Sequence, residues 1–259
     1  MSALVERHVA VGDQRLRVWE KGAGSRVGFL AGLGGATRWT PFLERLARER
    51  TVVVPSLPGF PGGASHARLD HLVDWIVATL DVIEASGLDG CDLIGASVGG
   101  MLAAEAAAMS PTAVRRLALI APFGLFDETE PVADVFAALP AELGGLLSAH
   151  AEYLDHHYSV PHGESAAEWS IVMTRAADAA ARLLWPVPDR GLAGRLRRIR
   201  VPTLVLWGTE DRVVPPGTAR RFAEAIGQGA TVRRVVGAGH MAELDAAEEV
   251  AQEILEFLA

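Results

Sequence analysis

Cysteine is nearly absent: the single Cys91 has no partner for an internal disulfide and suits a reducing compartment. Basic charge is in deficit, with 24 Lys and Arg against 32 Asp and Glu for a formal net charge of -8. That balance argues against a nucleic-acid backbone or an anionic membrane surface as the main partner. Long apolar runs are missing too, and none approaches the roughly 20 residues of a membrane-spanning helix. The opening stretch MSALVERHVAVGDQRLRVWEKG carries charges throughout, so it does not read as a signal peptide. Internal repeats and low-complexity tracts are lacking. A soluble, cytoplasmic protein is expected. What is present is a 259-residue chain, half of it hydrophobic, which suffices for one large domain or one domain with an insertion.

The segment HVAVGDQRLRVWEKG alternates around Gly12-Asp13 and predicts a β-hairpin. Short apolar runs follow from Arg26, Thr51, Cys91, Val114, Pro202 and Thr231, and their continuous character predicts strands covered on both faces. Leu69, Leu72, Val73, Ile76, Leu80 and Ile83 recur at helical spacing, closed by Gly87. Ala247, Val250, Ala251, Ile254 and Leu258 form a second such pattern. Strand–helix alternation of this kind implies a mostly parallel sheet wrapped by helices. The rhythm fails between about Phe126 and Val187, which reads as helices and loops rich in acids and histidines. An insertion there would roof the carboxyl ends of the strands, where open α/β sheets bind ligands.

LIGASVGGMLAAEAAAM, residues 93–109, sets Ser97 between Gly95 and Gly99 where a strand run meets a helical one. A serine hydroxyl needs a base before it attacks anything. A sharp strand–helix turn would lift it above the sheet, and a helix N-terminus beside it would favour a developing oxyanion. GAGHMAELD offers His240 as the base, and LWGTEDRVVPP offers Asp211 as the carboxylate that orients it. Glu210 and Asp127 compete with Asp211 for that role. FLAGLGGATRWTPF supplies a glycine-rich loop after the strand from Arg26, so the backbone N–H groups of Leu33 and Val98 are the expected oxyanion donors. A dinucleotide fingerprint would need glycine at Thr37, and no G-K-[ST] P-loop occurs, so no cofactor is expected.

These three motifs, in this order, make the chain similar to the α/β-hydrolase fold superfamily, in its cap-bearing serine hydrolase branch, over essentially its whole length. The resemblance implies an α/β-hydrolase fold with a mostly parallel sheet of about eight strands, flanked by helices. It also implies a helical cap after the sixth strand, giving a core of residues 1–124 and 188–259 and a cap of residues 125–187. It implies a catalytic triad of Ser97, Asp211 and His240. Two positions depart from the usual pattern: Ala31-Gly32 stands where His-Gly is common, and Ser56-Leu57-Pro58-Gly59 where Asp-x-Pro-Gly is common. Serine at the elbow disfavours the dehalogenase and epoxide-hydrolase relatives, which use aspartate. Ala96 and Met241 differ from the Asn and Trp common in carbon–carbon bond hydrolases of ring-cleavage products. The expected reaction is cleavage of a carboxylic ester, thioester or lactone. The alternatives are carbon–carbon cleavage of a vinylogous diketone, or a ligand receptor, lyase or acyltransferase on the same fold.

Phe123, Phe126, Trp169, Met173 and Trp185 are candidates for lining the pocket of a small-molecule substrate with an apolar part; packing between cap and core is the equal alternative. Trp39, Trp75 and Trp207 read as packing. His8, His66 and His71 read as surface residues. His150, His156, His157 and His162 cluster in the cap, but no metal-ligand spacing occurs, so no metal is expected and cap contacts are the better reading. The acidic runs DETE and AELDAAEE read as solvated faces.

Overall fold

A computed structural model describes residues 2–185, 187 and 190–259. The strands are β1 (Val5–Val11), β2 (Gln14–Gly22), β3 (Arg26–Leu30), β4 (Thr51–Pro55), β5 (Cys91–Ala96), β6 (Val114–Ile120), β7 (Thr203–Gly208) and β8 (Ala230–Val235). They form one sheet in the order β1-β2-β4-β3-β5-β6-β7-β8. The pairs β1/β2 and β2/β4 are antiparallel, and the rest of the sheet is parallel. The helices are α1 (Pro41–Ala47), α2 (Leu72–Ala85), α3 (Ser97–Met109), α4 (Pro140–Leu147), α5 (Ala151–Tyr158), α6 (Ala166–Leu184), α7 (Leu192–Leu196), α8 (Gly217–Ile226), α9 (Ala242–Asp245) and α10 (Ala247–Phe257).

Because successive side chains in a strand point to opposite faces, a continuous apolar run fills two cores at once. In β6, Leu117 and Leu119 enter one core while Ala118 and Ile120 enter the other; in β4, Val53 faces opposite Val52 and Val54. Trp75 and Trp207 are buried, whereas Trp39 is half-buried and donates its indole N–H to Glu44 at 2.9 Å. The expectation of two covered faces fails at β8. Thr231, Val232, Arg233 and Arg234 are all exposed. β8 pairs only with β7 at the sheet edge, and charged side chains on an edge strand discourage further pairing.

From β3 the chain moves outward to β4 and then returns across the sheet to β5, so the strand order reverses between β3 and β5. Ligands of open α/β sheets bind outside the carboxyl ends of the strands at such a reversal. The loop after β3 and the turn after β5 both open there. Between β6 and β7 the described residues form helices α4 to α7 and no strand. The expected boundary at 187 and 188 touches Pro188, which lies outside the described residues. His66 is buried rather than at the surface, and its Nε2 meets the Asp178 carboxylate on α6 at 2.7 Å. That contact joins segments 112 residues apart, so no local pattern announces it. Among the described residues no helix is long and apolar enough to cross a membrane.

Candidate active site

β5 ends at Ala96, and α3 begins at Ser97 itself. Ser97 holds φ +53, one of two non-glycine residues with positive φ among those described. Such a conformation is uncommon for a residue with a side chain, and here it turns the hydroxyl up from the sheet. The turn is possible because its flanks are bare. A β-carbon on Gly95 would lie 2.6 Å from the Gly99 carbonyl oxygen, and one on Gly99 would lie 2.3 Å from that of Leu30. Both distances are closer than packed atoms tolerate, so strand and helix meet only as glycine backbone.

Ser97 Oγ lies 2.8 Å from His240 Nε2, and His240 Nδ1 lies 3.1 Å from Asp211 Oδ2. All three residues are buried. Asp211 comes just past β7, where its Oδ1 accepts the N–H groups of Val213 and Val214 at 2.8 and 2.9 Å. Those bonds leave Oδ2 for the imidazole. His240 follows β8, and the Phe123 ring packs edge-on against it with centroids 5.2 Å apart. Its loop is pinned on both sides: Gly239 N–H donates to Asp245 at 2.7 Å, and Met241 N–H donates to the Leu147 carbonyl at 2.8 Å.

The rival acids sit elsewhere. Asp127 pairs with Arg221 at 2.7 Å and accepts from Thr129, and Glu210 is exposed. The glycine loop after β3 runs beside the serine, since a methyl group built on Gly32 would lie 3.6 Å from Ser97 Oγ. Gly35 N–H donates to the Gly32 carbonyl at 3.0 Å. In a trans peptide the N–H points opposite to the C=O. Tying back the Gly32 oxygen therefore turns the Leu33 N–H away from the Gly35 side, and it donates to no described residue. Ala96, before α3, gives no side-chain cap, so the first-turn N–H groups that include Val98 are not taken by a capping side chain.

A cavity of about 360 Å3 lies against the glycine loop, lined there by Leu33 and Gly34 and walled by Val135, Leu147, Tyr158 and Met173, with no charged side chain in its lining. Of the five pocket candidates, Met173 lines it and Phe123 packs on His240. Trp169 is turned to donate its indole N–H to the Tyr158 carbonyl at 2.9 Å. Phe126 and Trp185 are exposed and stay outside the lining. Sequence places both near the ends of the helical segment but says nothing of which way a side chain faces there.

Two acids in AELDAAEE are not solvated. Asp245 is half-buried and accepts from Gly239 N–H, from Ala149 N–H at 2.9 Å and from the Ser148 hydroxyl. Glu243 is buried with Oε2 unpartnered among the described residues. α9 has four residues, too few for a periodicity that would mark an inward face. Burial pushes the Glu243 carboxyl from an ordinary 4.5 up to about 7, and the Asp245 charge acts in the same direction. Its own backbone N–H and His240 oppose the rise. Folding thus favours the protonated acid, so stability is whole below pH 4.5 and is lost as pH rises through about 7. That gap corresponds to about 3 kcal/mol. Glu243→Gln is expected to exceed the wild type in unfolding free energy by up to that amount at pH 8.5, and to lose the advantage near pH 5. Denaturant titrations at both pH values check it; an equal difference at the two would refute the assignment.

Residues 27–253 match the model of the alpha/beta hydrolase family. The chain belongs to that family. Among its relatives, a polyketide synthase of Burkholderia thailandensis is 30% identical over 95% of this chain, which spans only 12% of that protein's length. A 2-hydroxy-6-oxo-2,4-heptadienoate hydrolase of Pseudomonas putida is 28% identical over 87% of this chain and 86% of its own length. A solved structure, that of a serine hydrolase involved in carbazole degradation, superimposes with a TM-score of 0.78 at 24% identity, covering 99% of this chain and 99% of its own. That likeness carries the fold.

Proposed function

We propose that this alpha/beta hydrolase cleaves a neutral carboxylic ester, thioester or lactone with an apolar acyl part, by way of an acyl-enzyme on Ser97. The hydrogen-bonded series from Ser97 through His240 to Asp211 supports the mechanism. His240 Nε2 takes the Ser97 proton as Oγ attacks the carbonyl carbon, and the Leu33 and Val98 N–H groups receive the oxyanion. Asp211 holds the imidazole tautomer and stabilises its cation. Collapse of the tetrahedral adduct expels the alcohol or thiol, which leaves with the proton from His240. Water then attacks the acyl-enzyme by the same route, and the acid departs with Ser97 restored. Residues 125–187 act as the cap over this reaction.

The uncharged lining of the cavity beside Leu33 is the observation that carries the substrate class. An apolar chain gains from burial there, whereas a carboxylate would lose its water without a cation in return. At about 0.8 kcal/mol for each buried methylene, four extra methylenes should raise kcat/KM by about 200-fold. Comparison of p-nitrophenyl acetate with the hexanoate tests this, with a hexanoate whose chain ends in a carboxylate as the third member. A flat series, or a preference for the acid-tipped chain, would overturn the assignment.

A second reading has one observation in its favour. The Pseudomonas putida relative is named for a 6-oxo dienoate, a carbon–carbon bond substrate. Turnover of such a dienoate above the best ester would move the assignment to that chemistry.

A further inference from the structure

The glycine loop after β3 is held by a helix from the segment between β6 and β7. Tyr158, the last residue of α5, donates its hydroxyl to the Leu33 carbonyl, and its ring lies across Gly34, where a β-carbon would come within 2.4 Å of it. His157 is buried and lines the same narrow cleft as Gly35. Its carbonyl accepts the Thr37 hydroxyl at 2.5 Å and the Arg38 Nε–H at 3.2 Å. Two consecutive residues of α5 thus grip the loop at positions 33, 37 and 38. Among the described residues, no other element sends a side-chain hydrogen bond to positions 32–35. The core's own grip lies further on, where Arg17 donates to the Ala36 carbonyl at 2.6 Å.

These contacts act on the peptide groups that aim the Leu33 N–H. That N–H shares a peptide plane with the Gly32 carbonyl, which the Gly35 N–H holds back. Tyr158 fixes the Leu33 carbonyl in the middle of this turn, and the His157 carbonyl ties down Thr37 and Arg38 just beyond it. Burial keeps the imidazole neutral by lowering its pKa to about 4, and it pushes the phenol well above its ordinary range. The Tyr158 hydroxyl therefore acts as an uncharged hydrogen-bonding group across the neutral range. Tyr158 also walls the apolar cavity together with Leu33 and Gly34.

We propose that Tyr158, together with the backbone carbonyl of His157, is a positioning element that holds the Leu33 N–H in its oxyanion-binding direction, so that the oxyanion hole is complete only while α5 is docked on the loop. This rests on the Ser97 acyl-enzyme reading given above. A misplacement of about 1 Å in a reacting group can cost 100-fold in rate.

The test compares Tyr158→Phe, Thr37→Val and, as a control on the same helix, Tyr153→Phe. Tyr158→Phe removes one hydroxyl and keeps the ring on Gly34; Thr37→Val breaks the grip from the loop side. Tyr158→Phe is expected to lower kcat on the preferred ester about 10- to 100-fold while KM stays within about threefold, the signature of a lost transition-state interaction. Affinity for a trifluoromethyl ketone, which forms the oxyanion adduct, should fall in parallel. Thr37→Val should show the same pattern with a smaller loss, and Tyr153→Phe should match the wild type. Hydrogen-exchange mass spectrometry on the full chain supplies a readout independent of turnover, because the peptide spanning residues 30–38 should exchange faster in Tyr158→Phe alone of the two tyrosine variants. Unchanged exchange, or a loss confined to KM, overturns the proposal. A wild type without ester turnover would sink the Ser97 reading instead, and the exchange measurement would still decide whether α5 clamps the loop.

Discussion

Ser97→Ala is expected to lose about 10^6-fold in kcat on the preferred ester and all labelling by a fluorophosphonate. The size follows from the linkage of the groups. With Oγ gone, His240 has no proton to take and no acyl-enzyme forms, so both half-reactions vanish together. The fold should survive, because alanine at φ +53 is no more strained than serine and the site around it is already closed. Some acceleration over water, about 10^3- to 10^4-fold, should persist from the oxyanion donors and substrate binding. Steady-state kinetics beside a thermal melt checks both halves of this expectation. A variant that keeps its turnover and its Tm removes Ser97 from the chemistry.

Asp211→Asn should cost about 10^4-fold in kcat near neutral pH. Asparagine can still accept from the Val213 and Val214 N–H groups through its carbonyl oxygen, so the turn after β7 is retained. Its amide nitrogen then faces His240 Nδ1 and donates to it. That selects the tautomer with its proton on Nε2, the nitrogen that must accept from Ser97. The imidazolium also loses its counter-charge. Asp127→Asn is the matched control, with an expected rate equal to the wild type, because that carboxylate serves Arg221 and Thr129. A rate within tenfold of the wild type for Asp211→Asn, or a large loss for Asp127→Asn, would reassign the acid.

Much of this molecule is written locally. Each of the eight strands is a run whose composition and bounding turns act over a few residues, and each appears at the expected place. The strand–turn–helix around Ser97 is legible for the same reason: two bare glycines and an alanine-rich helix are short-range facts, and Asp211 and His240 each follow a strand end. The alpha/beta hydrolase family follows from those motifs in that order. The interior of the helical segment was not legible to the same degree. Nothing in EYLDHHYSV distinguishes His157, buried against the loop, from His156, exposed one residue earlier. Phe126 and Trp185 are aromatic and close to the segment's ends, yet they face outward.

The difference is one of range. Strand, turn and helix propensities are settled by neighbours in the chain, so the sequence by itself determined the fold and brought Ser97, Asp211 and His240 to one sheet edge. The grip of Tyr158 on Leu33 spans 125 residues, and that of His66 on Asp178 spans 112. Such contacts depend on how one helix sits against a loop, and a shift of one residue along a helix turns a side chain by about 100 degrees. The uncharged cavity, the buried Glu243 and the clamp on the oxyanion loop were therefore decided only by the tertiary structure.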